Sequence, residues 1–167
     1  RKKNSLFPTI VCDFEKDEIP SFAFESVDVV IHLAGVAHDF GDASIQEDYY
    51  RKINVDTSVN LAILASQNNV KRFVFISSVK AGGSEITESS CVNHELGSPE
   101  GVYGRSKREA EIKLLKIGRK SGMSVSIIRP SLVYGPEVKG NLKLMLSGIK
   151  KGWFPPLPET QNRRSMI

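Results

Sequence analysis

Short apolar runs alternate along the chain with longer segments whose apolar residues have helical spacing. The apolar runs are rich in Val, Ile and Phe and predict buried strands at residues 9–13, 27–34, 72–78 and 124–130. The helical spacing predicts helices over about residues 44–69 and 101–120, with Gly122 near the C-cap of the second. Strands that alternate with helices predict an α/β fold built on a mostly parallel sheet.

Composition indicates a folded globular chain. It has 167 residues, of which 40% are hydrophobic and 25% are charged, close to the values of globular domains. No apolar run is long enough to cross a membrane and no signal peptide is recognisable, so we expect a cytoplasmic protein with no membrane partner. Cys12 and Cys91 lie far apart without a CxxC pattern, and we expect free thiols and no metal site.

The positive charge of the chain is local. The net charge is +4, and residues 105–120 contain seven Lys or Arg residues against two Glu residues. No aromatic residue lies among the basic ones, whereas sites for single-stranded nucleic acid combine the two. The apolar residues of this segment have helical spacing, which indicates a packed helix with a solvated basic face. We therefore expect no nucleic-acid partner.

The distribution of glycine bears on cofactor binding. A complete dinucleotide-binding sheet normally opens with a strand, a Gly-rich turn and a helix. Here no glycine precedes Gly35, and the pattern GxGxxG does not occur. The first residue is Arg, and the residues from Gly152 onward are rich in Pro and lack periodicity. We therefore expect the chain to be an internal part of a longer protein.

Tyr103 and Lys107 carry the clearest chemical signal. They form YGRSK, and four-residue spacing places both side chains on one face of a helix. A phenol ionises near pH 10, so it works as an acid or base near neutrality only where its phenolate is stabilised, and the Lys107 ammonium is expected to do this. Ser78 ends a predicted strand at the edge where α/β sheets hold their sites, and its hydroxyl is expected to bond the phenol and a substrate oxygen.

Several blocks of sequence agree in order with one family. They are VDVVIHLAG (27–35), INVDTSVNLA (53–62), RFVFISS (72–78), YGRSK (103–107) and IIRPSLVYGP (127–136). With them the chain resembles the extended short-chain dehydrogenases/reductases, the NAD-dependent epimerase/dehydratase family. Within it the similarity is greatest to UDP-glucose 4-epimerases and to UDP-N-acetylhexosamine 4-epimerases or 4-ketoreductases. The resemblance covers nearly the whole chain and implies a Rossmann-like doubly wound parallel sheet.

The resemblance implies a role for each matching residue. Tyr103 is the expected acid/base, Lys107 the cation that also holds the nicotinamide ribose, and Ser78 the hydroxyl that orients the substrate. Further cofactor contacts are expected at Asp13, Leu33, Ala34, Gly35, Asn54 and Pro130, and further substrate contacts at His38, Asn141 and Arg164. His32 lies on an apolar strand and is expected to be a hydrogen-bonded core residue.

Departures from the family pattern narrow the reaction. Dehydratases of the family usually carry an Asp-Glu pair after the catalytic strand, but Val79, Lys80 and Ala81 follow Ser78 here, which argues against dehydration. Epimerisation and 4-keto reduction of a UDP-sugar, as in surface polysaccharide biosynthesis, both stay open, as do NAD and NADP. The alternative is a non-catalytic, truncated Rossmann-like module that binds a nucleotide or a protein.

The resemblance also implies how the chain is organised. Residues 1–136 are expected to form a partial dinucleotide-binding domain, incomplete at its N-terminus. Residues 137–167 are expected to begin a substrate-binding region. Helix pairs in this family often form dimers, so the helices at residues 44–69 and 102–120 are expected at a homodimer interface.

Overall fold

The structure, a computed structural model, describes residues 8–37, 43–83, 97–131, 133, 135 and 141–153. Within them, strands alternate with helices. The strands are β1 (Val29–His32), β2 (Arg72–Ile76) and β3 (Ser124–Ile128). The α-helices are α1 (Ala43–Tyr50), α2 (Thr57–Gln67), α3 (Val79–Gly82), α4 (Gly101–Ser121) and α5 (Asn141–Lys150), with a 3₁₀ turn at Ser21–Phe24 and a π-helical segment at Arg51–Asp56.

The strands form a parallel sheet in the order β1-β2-β3. In the observed register Val30 of β1 lies opposite Phe73 of β2, and Phe73 lies opposite Val125 of β3. Helices connect each strand to the next, as parallel pairing requires. The α/β prediction and the predicted strands at residues 27–34, 72–78 and 124–130 are confirmed.

One face of the sheet holds the hydrophobic core. Phe73 and Phe75 of β2 are fully buried on this face and belong to one cluster with residues of α2 and α4. The helices contribute small residues, Ala62 from α2 and Ala110 from α4, which allow close approach, and Leu114 fills the space beside them. This packing places the start of α4 beside the carboxyl end of β2.

The other face of β1 is apolar and exposed. Val29, Ile31 and Leu33 alternate with the core residues and are 45%, 59% and 72% exposed. Ile128 at the end of β3 is 49% exposed. Parallel sheets normally bury both faces, whereas among the described residues nothing covers these side chains.

The strand predicted at residues 9–13 is wrong. Residues 8–13 pair with no strand in the described part of the chain, and Val11 is 92% exposed. Asp13 instead begins a turn, in which its carboxylate accepts the Glu15 N–H at 3.0 Å and its carbonyl accepts the Asp17 N–H at 2.7 Å. A β-branched run becomes a strand only where a neighbour supplies ladder partners.

Both predicted helices are present. The first is a continuous helical run from α1 through the π-helical segment into α2. Its π-helical interior has no signal in the hydrophobic pattern. The second is α4, which ends at Gly122 in the left-handed conformation (φ 78°), with the Gly122 N–H donating to the Gly118 carbonyl at 2.9 Å.

The chain divides into two compact units, Arg1–Arg129 and Pro130–Ile167. The first unit contains the sheet and helices α1 to α4. The second contains α5, which the hydrophobic pattern had not suggested and which ends in a turn where the Trp153 N–H donates to the Gly148 carbonyl at 2.9 Å. None of the described helices has both the length and the apolar character that a membrane span needs. The functional division expected after residue 136 stays a prediction.

Candidate active site

The carboxyl end of β2 places two serines at the edge of the sheet. Ser77 continues the register of the strand, since its N–H donates to the Ile128 carbonyl at 2.7 Å. Ser78 has an extended backbone (φ −156°, ψ 152°), and its hydroxyl oxygen accepts the Lys80 N–H at 3.3 Å, so it caps α3. This edge is where α/β sheets hold their binding sites.

Helix α4 brings Tyr103 beside Ser78. The backbone of α4 lies so close to α3 that a Cβ on Gly104 would be 2.5 Å from the Lys80 carbonyl oxygen. In this arrangement the Ser78 hydroxyl lies close enough to the Tyr103 phenol to act on its pKa as a hydrogen-bond donor. Burial raises the pKa of Tyr103, and the bond from Ser78 opposes that rise because it stabilises the phenolate.

Lys107 is a buried cation one turn along α4 from Tyr103. Lys107 is 3% exposed, and its ammonium nitrogen lies 4.1 Å from the centroid of the Phe75 ring. Burial lowers the pKa of Lys107 to about 8, and the Glu111 carboxylate opposes this change. Within the described part of the chain the ammonium makes no hydrogen bond, so its N–H donors are available to a ligand.

The groups that act on Tyr103 and on the Lys107 ammonium differ. The sequence predicts that the ammonium lowers the pKa of the phenol, but in the structure it is Ser78 that opposes the effect of burial on Tyr103. The Lys107 side chain extends over Phe75, and its charge acts on His32. The tuning of Tyr103 by the Lys107 ammonium stays a prediction.

Asn54 fastens the loop after β1 to the helices. It is fully buried in the π-helical segment. Its Oδ1 accepts the Val36 N–H at 2.8 Å, and its Nδ2 donates to the Val36 carbonyl and to the Ser106 hydroxyl, both at 3.0 Å. Ser106 in turn donates to the Tyr103 carbonyl at 2.8 Å. π-Helical turns are frequent at functional sites, and this one connects the β1 loop to the first turns of α4.

His32 is the hydrogen-bonded core residue that the sequence suggests. Its Nε2 lies 2.8 Å from the Ser58 hydroxyl, and that hydroxyl donates to the Asn54 carbonyl at 2.7 Å. The Ser58 oxygen must therefore accept from His32, which assigns the hydrogen to Nε2. Burial, aided by the Lys107 charge, lowers the pKa of His32 to about 4. The imidazole is neutral near physiological pH.

The other residues singled out from the sequence lie in different places. Leu33, Ala34 and Gly35 form the exposed start of the loop after β1, and a Cβ on Gly35 would lie 3.0 Å from the Asn54 Oδ1. Asp13 holds its own turn and lies 3.7 Å from the Lys16 ammonium. The remaining ones are Pro130 at the start of the second unit, Asn141 at the start of α5, and His38 and Arg164, which lie outside the described residues.

A buried ion pair behind the site was missed in the sequence. Glu111 is 1% exposed and pairs with Arg129. The sequence does contain one indication that Glu111 lies near the site: it follows Lys107 by four residues, which places both on the same face of α4. No local pattern connects it to Arg129, because the two residues meet only when α4 packs beside β3.

The parallel sheet, with Ser78, Tyr103 and Lys107 at its edge, defines an α/β protein of the short-chain dehydrogenase/reductase class. More specifically, residues 4–163 match the NAD dependent epimerase/dehydratase family, and the chain belongs to it. The Rossmann-like fold and the NAD-dependent family that the sequence indicates are thereby confirmed.

Curated relatives support this assignment. The chain is 43% identical over 145 residues to the UDP-glucose 4-epimerase of Vibrio cholerae, covering 83% of this chain and 43% of that protein. It is 28% identical over 170 residues to the N-acetyl-alpha-D-glucosaminyl-diphospho-ditrans,octacis-undecaprenol 4-epimerase of Escherichia coli O157:H7, covering 99% of this chain and 50% of that protein. The chain thus spans half or less of the length of these relatives.

Solved structures have the same fold. The Bordetella bronchiseptica enzyme WbmG in complex with NAD and UDP is similar with a TM-score of 0.65 at 26% identity, over 80% of this chain and 41% of that one. The UDP-glucuronic acid 4-epimerase of Bacillus cereus in complex with NAD has a TM-score of 0.74 at 21% identity, over 90% of this chain and 48% of that one.

Proposed function

We propose that the protein catalyses 4-epimerisation or 4-keto reduction of a UDP-sugar with NAD as its redox cofactor. The observation that carries the proposal is the placement of Tyr103 beside Ser78, produced by the close approach of α4 to α3, on the helix that also carries the buried Lys107. The 43% identity to a UDP-glucose 4-epimerase supports this substrate class. A role in surface polysaccharide biosynthesis is part of the same proposal.

Tyr103 is the residue that moves the proton in this mechanism. Oxidation at carbon 4 of a sugar removes a hydride from the carbon and a proton from its hydroxyl. NAD supplies the hydride acceptor when it is bound. The Tyr103 oxygen takes the hydroxyl proton and returns it when the carbonyl is reduced. Since burial raises the pKa of Tyr103, its phenolate depends on the hydrogen bond from Ser78, which also lies where it orients the substrate oxygen.

The residues around Gly35 fit a nicotinamide cofactor. A Cβ at this position would lie 3.7 Å from the Lys107 ammonium and 3.0 Å from the Asn54 Oδ1, so glycine keeps the space beside the ammonium open. The ammonium has no hydrogen-bond partner among the described residues and would bind the ribose hydroxyls. Asn54 holds Val36 through two hydrogen bonds, which fixes the backbone of Leu33 and Ala34 that would line the dinucleotide.

The more distant contacts are proposed from the family resemblance alone. Asp13 would contact the adenine portion of the cofactor, and Pro130 would lie beside the nicotinamide. His38, Asn141 and Arg164 would bind the substrate. Of these, Arg164 has the chemistry best suited to a diphosphate, because a guanidinium binds phosphate oxygens in pairs.

The choice between the two reactions depends on the net consumption of cofactor. An epimerase returns the hydride to the same sugar carbon and needs no external reductant, whereas a 4-ketoreductase consumes one NADH for each product. A third reaction of the family, dehydration, is disfavoured because no Asp-Glu pair follows Ser78. Incubation with a UDP-sugar in the absence of NADH distinguishes the two, since only an epimerase then gives the 4-epimer.

Tyr103→Phe tests the function directly. Removal of the phenol oxygen should lower turnover by about two orders of magnitude or more, because general acid/base catalysis contributes at least that much. NAD affinity, measured by fluorescence titration, should be unchanged. Tyr49→Phe is the matched control and should keep normal turnover. The assay requires the protein as its own cell produces it, since the chain spans 43% of the Vibrio cholerae relative.

Near-normal turnover of Tyr103→Phe would overturn the mechanism. If the unaltered protein binds NADH and a UDP-sugar but catalyses neither epimerisation nor reduction, the alternative function, a non-catalytic binding module, replaces the proposed one.

We also propose a homodimer formed through the outer surfaces of α1, the π-helical segment and α4. A groove of about 550 Å³ lies between these helices. Most of its lining side chains are charged, namely Glu47, Asp48, Arg51, Arg105 and Glu109, and Val102 and Ser106 complete it. Arg105 reaches Glu47 at 3.2 Å and Arg51 reaches Glu109 at 3.6 Å across it. Sedimentation at two salt concentrations tests the dimer, and a monomer in both would exclude it.

A further inference from the structure

The buried carboxylate of Glu111 accepts hydrogen bonds from more residues than the single partner of an ordinary ion pair. Arg129 donates from Nε to Oε1 at 2.9 Å and from Nη2 to Oε2 at 2.6 Å, a two-point contact. Glu111 is 1% exposed, and a carboxylate so deeply buried is costly unless all its oxygens are hydrogen-bonded. The pair therefore has one well-defined geometry.

The third partner of Glu111 lies next to the candidate active site. The Ser77 hydroxyl donates to Oε1 at 2.5 Å. Ser77 directly precedes Ser78, and its N–H is held by the Ile128 carbonyl of β3. A restrained Ser77 side chain fixes the backbone at the point where Ser78 leaves β2. This contact ties the carboxylate on α4 to the residue that directly precedes Ser78.

Arg108 links the same carboxylate to the other side of Ser78. Its Nε lies 4.0 Å from Oε2 of Glu111 and donates to the Ala81 carbonyl in α3 at 2.6 Å. Its Nη2 donates to the Gly97 carbonyl at 3.0 Å. Helix α3, which Ser78 caps, is therefore anchored to the helix that carries Tyr103.

We infer that Glu111 is a positioning residue that acts through the Ser77 hydroxyl to hold the Ser78 hydroxyl against the Tyr103 phenol. The inference rests on the proposed function for its effect on turnover, but the hydrogen bond itself can be measured without turnover. A Ser78 hydroxyl that is free to rotate away bonds the phenol for less of the time. Misplacement of a catalytic group by a fraction of an ångström lowers the rate without weakening the binding of the substrate.

Ser77→Ala is the decisive variant, because it removes one hydroxyl and leaves the Glu111–Arg129 pair in place. We expect kcat to fall by about tenfold with unchanged KM for the UDP-sugar and unchanged NAD affinity. Ser77→Thr keeps the hydroxyl and should restore most of kcat. Ser66→Ala is the matched control, since Ser66 also donates to a neighbouring oxygen, the Ile63 carbonyl at 2.8 Å, but lies outside the site.

A second readout follows the hydrogen bond in the absence of substrate. ¹³Cζ-tyrosine labelling reports on the phenol directly, and Tyr103→Phe assigns the resonance of interest. The Tyr103 resonance should move in Ser77→Ala in the same direction as in Ser78→Ala. It should stay in place in Ser66→Ala. An unchanged resonance together with unchanged kcat in Ser77→Ala would overturn the inference.

Glu111→Gln tests the origin of the effect. If Glu111 acts through Ser77, Glu111→Gln has no further effect once the Ser77 hydroxyl is gone, so the double variant Ser77→Ala/Glu111→Gln has the same kcat as Ser77→Ala alone, whereas independent effects multiply and would contradict the inference. Where Glu111→Gln does not fold, the Ser77 variants decide. A shifted Tyr103 resonance in Ser77→Ala, in a protein without turnover, would support the positioning role and refute the proposed function.

Discussion

Lys107 shows at the scale of one residue how the site opposes stability. The Lys107 ammonium is buried over Phe75 without a hydrogen-bond partner among the described residues, and its pKa falls from 10.5 to about 8. The folded protein therefore binds fewer protons than the unfolded chain between these two pH values. The free energy of unfolding rises with pH across that window and carries the full cost of the buried charge below it.

Lys107→Met should stabilise the protein. The fall of the pKa from 10.5 to about 8 corresponds to about 3 kcal/mol, and the variant also loses the contact of the ammonium with the Phe75 ring, worth about 1 kcal/mol, so we expect an increase in the free energy of unfolding of about 2 kcal/mol at pH 7. The gain should shrink as the pH rises from 8 towards 10.5. Urea unfolding at pH 7 and at pH 10 measures both effects. Lys116→Met, an exposed lysine on the same helix, is the control, and equal stability of wild type and Lys107→Met at pH 7 would refute this account.

Residues related by local spacing were the predictable part of the site. Tyr103 and Lys107 are four residues apart on one helix, and Ser78 follows a strand. Sequence spacing alone therefore predicts that these residues belong to the site. The Glu111–Arg129 pair depends on the packing of α4 beside β3, which no local pattern contains. The position of the Lys107 ammonium over the Phe75 ring was also beyond the sequence, because it depends on the packing of α4 against β2.

At the scale of the element, the π-helical segment determines how the loop after β1 lies over the site. Asn54 is fully buried there and satisfies both backbone polar groups of Val36. The sequence predicts the helix, but an extra residue in a helical turn leaves the hydrophobic pattern nearly unchanged. The strand expected at residues 9–13 failed for the opposite reason, since its pattern is right but no ladder partner is present among the described residues.

Asn54→Ala should destabilise the protein strongly. It leaves the half-buried Val36 N–H and carbonyl without their partner and removes a fully buried side chain, and we expect a loss of about 3 kcal/mol in the free energy of unfolding. Asn60→Ala, at an exposed position on α2, should change the free energy by less than about 0.5 kcal/mol. Urea unfolding compares the two. Equal effects would mean that the Asn54 hydrogen bonds do not hold the loop.

At the scale of the whole molecule, the main feature is the face of the sheet that the described residues leave uncovered. Val29, Ile31 and Leu33 form an exposed apolar row on β1. Contiguous apolar surface of this kind normally marks a contact with another part of a protein or with a partner. The periodicity of β1 predicts that it is a buried strand, and the described residues bury only one of its faces.

The 167-residue chain, produced alone, should bind a hydrophobic dye through this face. Ile31→Thr should lower the dye fluorescence by about twofold, because it interrupts the apolar row at its centre. Val11→Thr alters an exposed but isolated residue and should leave the fluorescence unchanged. Fluorescence that is the same in wild type and Ile31→Thr would mean that the face is covered in solution.

The central claim is that Tyr103 takes a proton while a hydride leaves carbon 4 of a UDP-sugar. Rapid mixing of the NAD-loaded protein with UDP-glucose, followed by the absorbance of reduced nicotinamide, measures that step within one turnover. The account predicts a transient rise in absorbance for the wild type that is slowed by about two orders of magnitude or more in Tyr103→Phe. A rise of equal rate in both proteins would contradict it.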